Sequence, residues 1–486
     1  MKYVVRIMLA LALALTVTLG TTGQAQAQAA KGAAWQVSIT VLNVETTGSA
    51  AININFYPGA GAAAIPFQPA DRLNAGAGTS YSVSSINSIS AGFKGSAVIS
   101  SDQRVVATVV QFVAGNLGGR NVRPLSNGFQ ASDASPNYLI PSVLNKKFNT
   151  ATEFSIQNVE ATDIKATVNF YSVENPTAVA LTRDFTIKPN DASYVDATAI
   201  GLPEQFDGSA TVAAVKVSDN TPANIVAAIN EYNVTNPNAS SVEAAKAGAN
   251  TVYMPIALCN LTGPNTATSA YAVQNADTTP ANVTVKFYSV TNTSGTPDKS
   301  LPAFSLAPGA KKSINGCNDA GLPAAFNGSA VIESTGGKIV AVGKVGGAGL
   351  SSAFLGTATG GQVLALPYVR WSPDAQYFGG SRQRTFIAIQ NLGTSDVNVD
   401  VSYRDRNGVE VAKKTYSVKA NGGKANSNPN EAGAAPNGYF GEVNGVFGGG
   451  AIITAPAGAQ IVSVVRIASG RGPNATGEDY SGIPIQ

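Results

Sequence analysis

Apolar and polar residues alternate in short runs along most of the chain, which is the pattern of half-buried β-strands. The plainest run, at residues 206–212, reads Phe-Asp-Gly-Ser-Ala-Thr-Val and is followed after a polar turn by the apolar residues 225–229. Runs of the same form begin at Phe93, Phe326 and Phe447, so the Phe recurs after 113, 120 and 121 residues. This period is the size of a domain. We therefore predict four tandem β domains, each containing a hairpin made from these two runs.

Further short strands can be placed around each predicted hairpin. One alternating run ends at Leu-Asn in the first repeat and at Gln-Asn in the others, and a second ends at an aromatic residue 12 or 13 positions after that Asn (Phe56, Phe170, Phe287 and Tyr403). A weaker strand and a turn rich in Pro, Gly or Asn follow. Short strands, frequent turns and no helical periodicity predict an all-β fold of four Ig-like sandwiches with about seven strands each.

The two recurring motifs have local structural explanations. In Phe-x-Gly-Ser-Ala, the Phe can close the end of the core, while the Gly permits close approach of the backbone. The Gln-Asn pair is typical of a turn that satisfies its own backbone groups. A ligand-binding loop is the alternative for the Phe-x-Gly motif.

The predicted boundaries place a signal peptide at 1–29 and the repeats at 30–135, 136–250, 251–363 and 364–486. An Ile-Pro, Met-Pro or Leu-Pro strand lies between successive repeats, and the sequence leaves open which repeat owns it. A further copy at the C-terminus favours the preceding repeat, or a bridge between two repeats. Ile483, Pro484 and Ile485 could therefore form an assembly strand that completes the first repeat of another molecule.

The N-terminus has the form of a secretory signal. Lys2 and Arg6 precede an apolar run over residues 7–20, and small residues follow at A-x-A spacing in 25–29. A membrane anchor is the alternative, but the run is short for a span of ~20 residues. We expect a secreted, extracellular protein, associated with the cell surface and without membrane insertion after cleavage.

The charge balance limits the partners. Charged residues make up 13% of the chain, against about 25% in typical proteins. The chain has 32 basic and 29 acidic residues, so loss of Lys2 and Arg6 leaves a net charge of 30 − 29 = +1. This near-neutral balance argues against nucleic acid or an anionic membrane as the main partner.

Histidine, which many catalytic and metal sites require, is missing. The chain contains no histidine, which excludes the common nucleophile–histidine and histidine–metal sites. Carboxylate pairs such as Glu204 with Asp207, or Asp400 with Asp405, do not recur and are typical of solvated loops. We predict a protein that is not an enzyme and has no cofactor. Turns around Asp219 and Asp405 leave structural Ca²⁺ as an alternative. Within the second turn, Asn407-Gly408 is more typical of a tight hairpin turn.

Cys259 and Cys317 both lie in the third repeat. An even pair within one domain of an exported protein predicts a disulfide, which would stabilise the fold by roughly 4 kcal/mol in the chain-entropy model. A metal or redox pair is the alternative.

The fourth repeat departs most from the pattern. Its hairpin has Gly-Gly in place of Gly-Ser, and an insertion precedes its first strand. The insertion gathers aromatic and basic residues that could contact a glycan or a partner: Arg370, Trp371, Tyr377, Phe378, Arg382 and Arg384. An inter-domain packing loop is the other interpretation.

The order x-Gln-Asn, Phe-Tyr, Phe-x-Gly-Ser-Ala-x-Val, Val-Ala-x-Val resembles a domain that recurs in large secreted bacterial surface proteins. The likeness covers nearly the whole mature chain, and it departs at Leu42 in the first repeat and Tyr403 in the fourth. It implies Ig-like sandwiches and an extracellular setting, and it transfers no active residue.

Two functions follow as hypotheses. The first is a non-enzymatic structural or adhesive protein of the cell surface, such as a surface-layer, sheath, filament or matrix component, built as a stiff rod of four sandwiches. Its partner would be itself or an envelope glycan. The second is carbohydrate binding through the aromatic and Arg residues of the fourth repeat. The sequence does not name the ligand, the mode of attachment, glycosylation or isopeptide cross-links.

Overall fold

A computed structural model of the chain describes residues 7–11, 29–113, 122–261, 266–347, 350–372, 383–443, 446–470 and 476–485. These residues form an almost entirely β structure, which confirms the predicted all-β class. We refer to residues 30–135, 136–250, 251–363 and 364–486 as segments 1 to 4.

The strands follow one another with few helical turns. The N-terminal stretch and segment 1 contain β1 (Ile7–Leu11), β2 (Trp35–Asn43), β3 (Ser49–Ala50), β4 (Ile52–Tyr57), β5 (Ile65–Phe67), β6 (Leu73–Asn74), β7 (Gly78–Ser82), β8 (Gly95–Ser101), β9 (Val105–Val113) and β10 (Leu125–Asn127). Segment 2 contains β11 (Asn137–Lys147), β12 (Thr150–Asn158), β13 (Ile164–Ser172), β14 (Val179–Ile187), β15 (Ala192–Asp196), β16 (Phe206–Lys216), β17 (Ile225–Asn233) and β18 (Ala239–Glu243).

The second half of the chain continues in the same way. Segment 3 contains β19 (Thr251–Cys259), β20 (Ala267–Asn275), β21 (Ala281–Ser289), β22 (Lys299–Ser300), β23 (Phe304–Leu306), β24 (Lys311–Asn315), α1 (Gly316–Asp319), β25 (Phe326–Gly336), β26 (Ile339–Gly347) and β27 (Leu350–Leu355). Segment 4 contains β28 (Val363–Leu366), β29 (Gln383–Asn391), β30 (Val397–Arg404), β31 (Glu410–Val418), β32 (Lys424–Ser427), β33 (Glu442–Val443), β34 (Val446–Phe447), β35 (Gly450–Thr454), β36 (Ile461–Ser469), β37 (Thr476–Ser481) and β38 (Ile483–Pro484). Short 3₁₀ turns lie at Val83–Ser85 and Ala131–Asp133.

The same strand order recurs in each segment. We call β1, β11, β19 and β28 the opening strands. In one layer, the strand of the Phe-x-Gly motif lies between the strand with the aromatic residue and an opening strand, giving β4-β8-β1, β13-β16-β11, β21-β25-β19 and β30-β35-β28. In the other layer, the Val-rich strand lies between the Asn-ending strand and a later strand, giving β2-β9-β10, β12-β17-β18, β20-β26-β27 and β29-β36-β37. In segment 2 the two layers are joined where β11 pairs with β12.

Alternation along the strands explains the burial. On β4 the residues Ile52, Ile54 and Phe56 are buried and the residues between them are partly exposed. In segment 2 the rings of Phe154 and Phe170, from opposite layers, lie 6.3 Å apart. Each such side chain contributes about 1.5–3 kcal/mol by its burial, so one apolar face per strand is sufficient to hold the layers together.

The predicted hairpin is wrong. β16 pairs with β11 and β13, whereas β17 pairs with β12 and β18, so the two runs lie in opposite layers. The corresponding strands of the other segments are divided in the same way. Alternation identifies the buried face of a strand, but two strands can share a core either side by side or across it. The tight hairpin turn expected at Asn407-Gly408 is present between β30 and β31.

The opening strands pair within the segment that follows them, and this pairing answers the question of ownership that the sequence left open. β11 pairs with β16, β19 with β25 and β28 with β35. The ends of segments 2, 3 and 4 return to the other edge of their opening strands, at Ala245, Thr357 and Ile483. The C-terminal strand β38 is therefore the regular return of segment 4 and not an additional opening strand.

Candidate functional site

The disulfide predicted from the sequence is present between Cys259 and Cys317. Cys259 ends the opening strand β19 and Cys317 lies in α1. The side chain of Asn315 accepts hydrogen bonds from the first backbone N–H groups of α1 and so caps it. The bridge therefore fixes the opening strand of segment 3 to the loop that precedes the Phe-x-Gly strand.

Two of the predicted contact residues of segment 4 are enclosed. Arg370 and Trp371 are buried, so neither presents a surface on which a sugar could stack, and the expectation of exposed aromatic residues is wrong for this part of the loop. The guanidinium of Arg384 lies 4.9 Å from the centre of the Trp371 ring, whose edge meets Phe386. Tyr377, Phe378 and Arg382 lie outside the described residues.

Arg370 belongs to a contact between segments 4 and 1. Its Nη1 donates to the carbonyls of Val369 at 2.8 Å and Gly448 at 3.1 Å, and its Nη2 donates to Ser80 Oγ at 3.3 Å. Its guanidinium carbon also lies 4.3 Å from the centre of the Tyr368 ring. These contacts fit the interpretation of this region as an inter-domain packing loop.

The Ser of the Phe-x-Gly-Ser motif connects each of the first three segments to the next. Its hydroxyl donates to a turn carbonyl of the following segment: Ser96 to Asn190 at 2.5 Å, Ser209 to Gly309 at 2.7 Å, and Ser329 to Gly422 at 2.6 Å. Ser96, Ser209 and Ser329 are all buried. The motif is therefore used between segments as well as within them.

The Gln of the Gln-Asn motif completes the same junctions. Gln390 Nε2 donates to Gly422 O at 3.2 Å and crosses to Ala330 O of segment 3 at 3.1 Å. Gln274 Nε2 likewise crosses to Ala210 O of segment 2 at 3.2 Å. The neighbouring Asn side chains bond within their own loops, as predicted. The role of the Gln between segments is new.

Buried lysines reinforce two of the junctions. Lys311 forms an ion pair with Asp207 of segment 2, and Lys424 donates to Asn327 Oδ1 at 2.8 Å and Gly328 O at 3.0 Å in segment 3. Burial lowers the pKa of Lys424 to about 7, and it also lowers the pKa of Lys311. A charge enclosed at a junction needs its partner, because an unpaired buried charge is costly.

The junction from segment 4 to segment 1 uses different chemistry. Gly449 N donates to Gly78 O at 3.1 Å. Gly450 stands where the other segments have Ser, and Leu42 stands where they have Gln. A Cβ added to Gly450 would lie 3.4 Å from Leu42 Cδ2, so the two departures from the sequence pattern meet in space. The joint replacement of Ser by Gly450 and of Gln by Leu42 was the sequence signal that could have revealed the junctions.

The layers that contain the Val-rich strands contact one another in a closed cycle. β10 contacts β18, β18 contacts β27, β27 contacts β37, and β37 contacts β10. Asn127 Nδ2 of segment 1 donates to Ser481 O of segment 4 at 2.8 Å, and Thr79 forms a β-bridge with Gly448. An extended rod cannot bring its first and last segments together, so the predicted rod is wrong. Hydrogen bonds of the motif Ser and Gln hold three of the junctions, and the contact near Gly450 and Leu42 holds the fourth, so the four segments close into a ring.

Charged and polar side chains pair around the centre of this ring. Lys344 of segment 3 donates to Glu231 of segment 2 at 2.7 Å, and Gln111 of segment 1 donates to Asn230 of segment 2 at 2.8 Å. Burial raises the pKa of Glu478 on β37 to about 8, although the positive charge of Arg123 opposes this shift.

A cavity of about 530 Å³ opens where the four segments meet, and every segment contributes to its wall. Apolar lining comes from Val106, Phe129, Leu355 and Ile483. Glu243 adds a buried carboxyl group, one oxygen of which accepts a hydrogen bond from Asn127 N. Burial raises the pKa of Glu243 to about 7.

The carboxylate pairs considered from the sequence do not face one another as acid and base. Glu204 pairs with Lys146 at the surface, while Asp207 pairs with the buried Lys311. Asp400 pairs with Lys413. Within the described ranges, no three His, Cys, Asp or Glu side chains are grouped closely enough to hold a metal ion. The described helices include none long and apolar enough to cross a membrane.

Comparison with known proteins leaves the family open. No protein-family model matches the chain, and no curated protein matches it. A solved structure described as Thermotoga maritima 1070 is similar over 23% of this chain and 94% of its own, at 13% identity and a TM-score of 0.18. Two structures of a glycosyl hydrolase family 2 member from Bacteroides cellulosilyticus are similar over 53% of this chain, at 9% and 11% identity and TM-scores of 0.14 and 0.13. The chain spans 28% and 27% of the lengths of these two.

Proposed function

We propose that the chain is a non-enzymatic, secreted structural or adhesive protein of the cell surface, built from four Ig-like sandwich domains closed into a ring. The closed form replaces the rod of the sequence hypothesis. Such a unit would act as a rigid block in a surface layer, sheath or matrix. Its contacts would be with copies of itself or with envelope glycans.

The observation that carries this proposal is the repeated use of the motif residues at the junctions. Ser209 and Gln274 meet at one turn carbonyl, that of Gly309, and Ser329 and Gln390 meet at another, that of Gly422. Residues that recur in this way are already engaged in holding the segments together. Because the motif residues are engaged between segments, they support a structural role for the chain and do not form a repeated ligand site.

The extracellular setting has two supports. The disulfide is typical of an oxidising compartment, and the N-terminal residues have the order of charge, apolar run and small residues expected of a signal sequence. We propose that this sequence is removed on export.

Two measurements test the proposal. Fractionation of producing cells into interior, envelope and medium should place the protein in the last two. X-ray scattering of the purified protein should give a radius of gyration of about 23 Å, the value for a compact chain of this length. Recovery only from the cell interior contradicts the location, and a radius well above this value contradicts the closed ring.

A second function, binding of a small extracellular ligand, is favoured by the central cavity. Its volume of about 530 Å³ lies in the range of small-molecule sites, about 300–1,000 Å³. The lining combines apolar walls and the buried carboxyl group of Glu243 with the charged residues Arg104, Asp133 and Lys246. This combination favours a largely apolar ligand that carries a hydrogen-bond donor. A ligand screen by thermal shift should find compounds that stabilise the wild type more than Glu243→Gln. Equal stabilisation of both forms, or of neither, contradicts this second function.

A further inference from the structure

One edge of β8 is covered by the strand β1 from the N-terminal stretch. β8 pairs with β4 along one side and with β1 along the other. Since Ile7–Leu11 lies inside the proposed signal sequence, removal of that sequence would also remove β1. The backbone N–H and C=O groups on this side of Gly95–Ser101 would then lose their partners.

The other segments indicate what this edge accepts. The opening strands place a large apolar residue opposite the Ala of Phe-x-Gly-Ser-Ala: Ile140 opposite Ala210, Met254 opposite Ala330, and Leu366 opposite Ala451. β1 places Leu9 opposite Ala97 in the same register. The small Ala leaves room for the larger residue across the sheet.

A second large apolar residue lies two positions earlier in each opening strand. In segments 2 to 4 these pairs are fully or almost fully buried: Tyr138 and Ile140, Val252 and Met254, Leu364 and Leu366. Side chains two positions apart share one face of a strand. The edge of β8 is therefore suited to an extended segment with apolar residues at positions i and i+2.

The same strand also belongs to a junction. β11 contacts β20 and β26 of segment 3, and β19 contacts β29 and β36 of segment 4. β1 contacts β12 and β17 of segment 2 in the same manner. A strand bound at β8 would therefore continue the junction between segments 1 and 2.

The described ends of the mature chain are already engaged elsewhere. The N–H groups of Ala30 and Lys31 donate to the carbonyls of Asn236 and Asn233 at 2.9 and 3.0 Å. At the other end, Ile483 pairs with Ala365 in segment 4. The residues around Ala30 and Ile483 are therefore not placed to supply the strand that β8 would lack.

We propose that the mature protein binds an extended apolar segment of another polypeptide at β8, by addition of a strand antiparallel to Gly95–Ser101. This inference rests on the proposed removal of the signal sequence. The backbone of the added strand would supply hydrogen bonds, and its apolar residues at i and i+2 would supply specificity, one of them opposite Ala97.

The first test is the N-terminus of the protein recovered from envelope or medium, determined by mass spectrometry. A start close to residue 30 is expected. An extracellular protein that retains residues 7–11 would overturn the strand-binding proposal and leave the proposed location intact, so the two failures are distinguishable.

The second test is hydrogen exchange on the mature protein. Without a partner, amides of residues 95–101 should exchange at least ~10-fold faster than those of residues 208–214 and 328–334, whose edges are covered. A synthetic peptide of residues 134–144, which contains Tyr138 and Ile140, should bind and slow the exchange of residues 95–101. Equal protection without peptide in a monomer, or binding without this protection, overturns the proposal.

A matched peptide tests the chemistry. Replacing the residues that correspond to Tyr138 and Ile140 by Ser should weaken binding at least ~10-fold, because two apolar side chains lose their burial. Equal affinity of the two peptides would contradict recognition by the i and i+2 positions. If the mature protein is a dimer with residues 95–101 protected, the bound segment comes from a second copy, which is one form of the proposed partner.

Discussion

Changes at Lys311 and Asp207 should reveal how much a buried ion pair contributes to the junction between segments 2 and 3. The side chain of Lys311 is 2% exposed and that of Asp207 is 13% exposed. The junction between segments 3 and 4 provides a natural comparison, because there Lys424 meets the neutral Asn327. Asp207→Asn thus converts one junction chemistry into the other, whereas Lys311→Met leaves Asp207 without its cation.

The two changes should differ in size and in pH dependence. Lys311→Met should lower the free energy of unfolding by about 3–5 kcal/mol, the usual cost of removing one partner of a buried pair. Asp207→Asn should lower the pKa of Lys311 further, because the carboxylate of Asp207 opposes the lowering caused by burial. A lysine whose folded pKa lies below its unfolded pKa destabilises the fold as the pH falls from the unfolded value towards the folded one.

For Asp207→Asn the loss of stability should therefore be small near pH 10 and greatest at pH 7 and below. Since one pKa unit corresponds to about 1.4 kcal/mol, the change in the free energy of unfolding between the two pH values measures how far the pKa of Lys311 falls. The wild type should show a weaker form of the same dependence, because the pKa of Lys311 is already lowered by burial.

Urea unfolding at pH 7 and at pH 9.5 measures both effects. Lys146→Met provides the control, because Lys146 and Glu204 form an ion pair at the surface, where a pair contributes about 0–1 kcal/mol. If Lys311→Met is no more harmful than Lys146→Met, the junction does not depend on this pair. If the difference in urea midpoint between Asp207→Asn and wild type is the same at both pH values, the lowered pKa of Lys311 is contradicted.

Three further outcomes are expected. Replacing both Cys259 and Cys317 by Ser should lower the free energy of unfolding by roughly 4 kcal/mol, and unchanged urea unfolding would contradict the bridge as a stabilising link. Glu478→Gln should raise the melting temperature relative to wild type more at pH 8.5 than at pH 4.5. The pKa of Glu478 is raised to about 8, so the wild type loses stability as the pH rises from 4.5 to about 8. An equal difference in melting temperature at both pH values would refute this. Ser329→Ala should cost about 1 kcal/mol and speed amide exchange around Gly422, and no change at Gly422 would argue against the junction hydrogen bond.

Several features of the fold could be predicted from the sequence because they depend on local patterns. The alternation of apolar residues on β4 and similar strands predicted the all-β class, since one face of each strand must be buried. The pairing of Cys259 with Cys317 followed from there being only two cysteines. The turn at Asn407-Gly408 followed from the preference of Gly for positive φ, which Gly408 adopts.

The site could not be predicted as well, because its contacts join residues about one hundred positions apart. Ser209 and Gln274 each have a sufficient local explanation, so neither indicated the junction at Gly309. Arg370 is a residue type that often contacts ligands, and only the structure shows that it is buried between segments 4 and 1.

The sequence by itself determined which face of each strand is apolar, how often the pattern recurs and which cysteines pair. The tertiary structure decided which strands are neighbours, which segment owns the opening strands, and that the first and last segments meet. The reason is that alternation specifies a buried side but not the surface that covers it. That surface is selected only when the whole chain has folded, as the contact of Leu42 with the position of Gly450 illustrates.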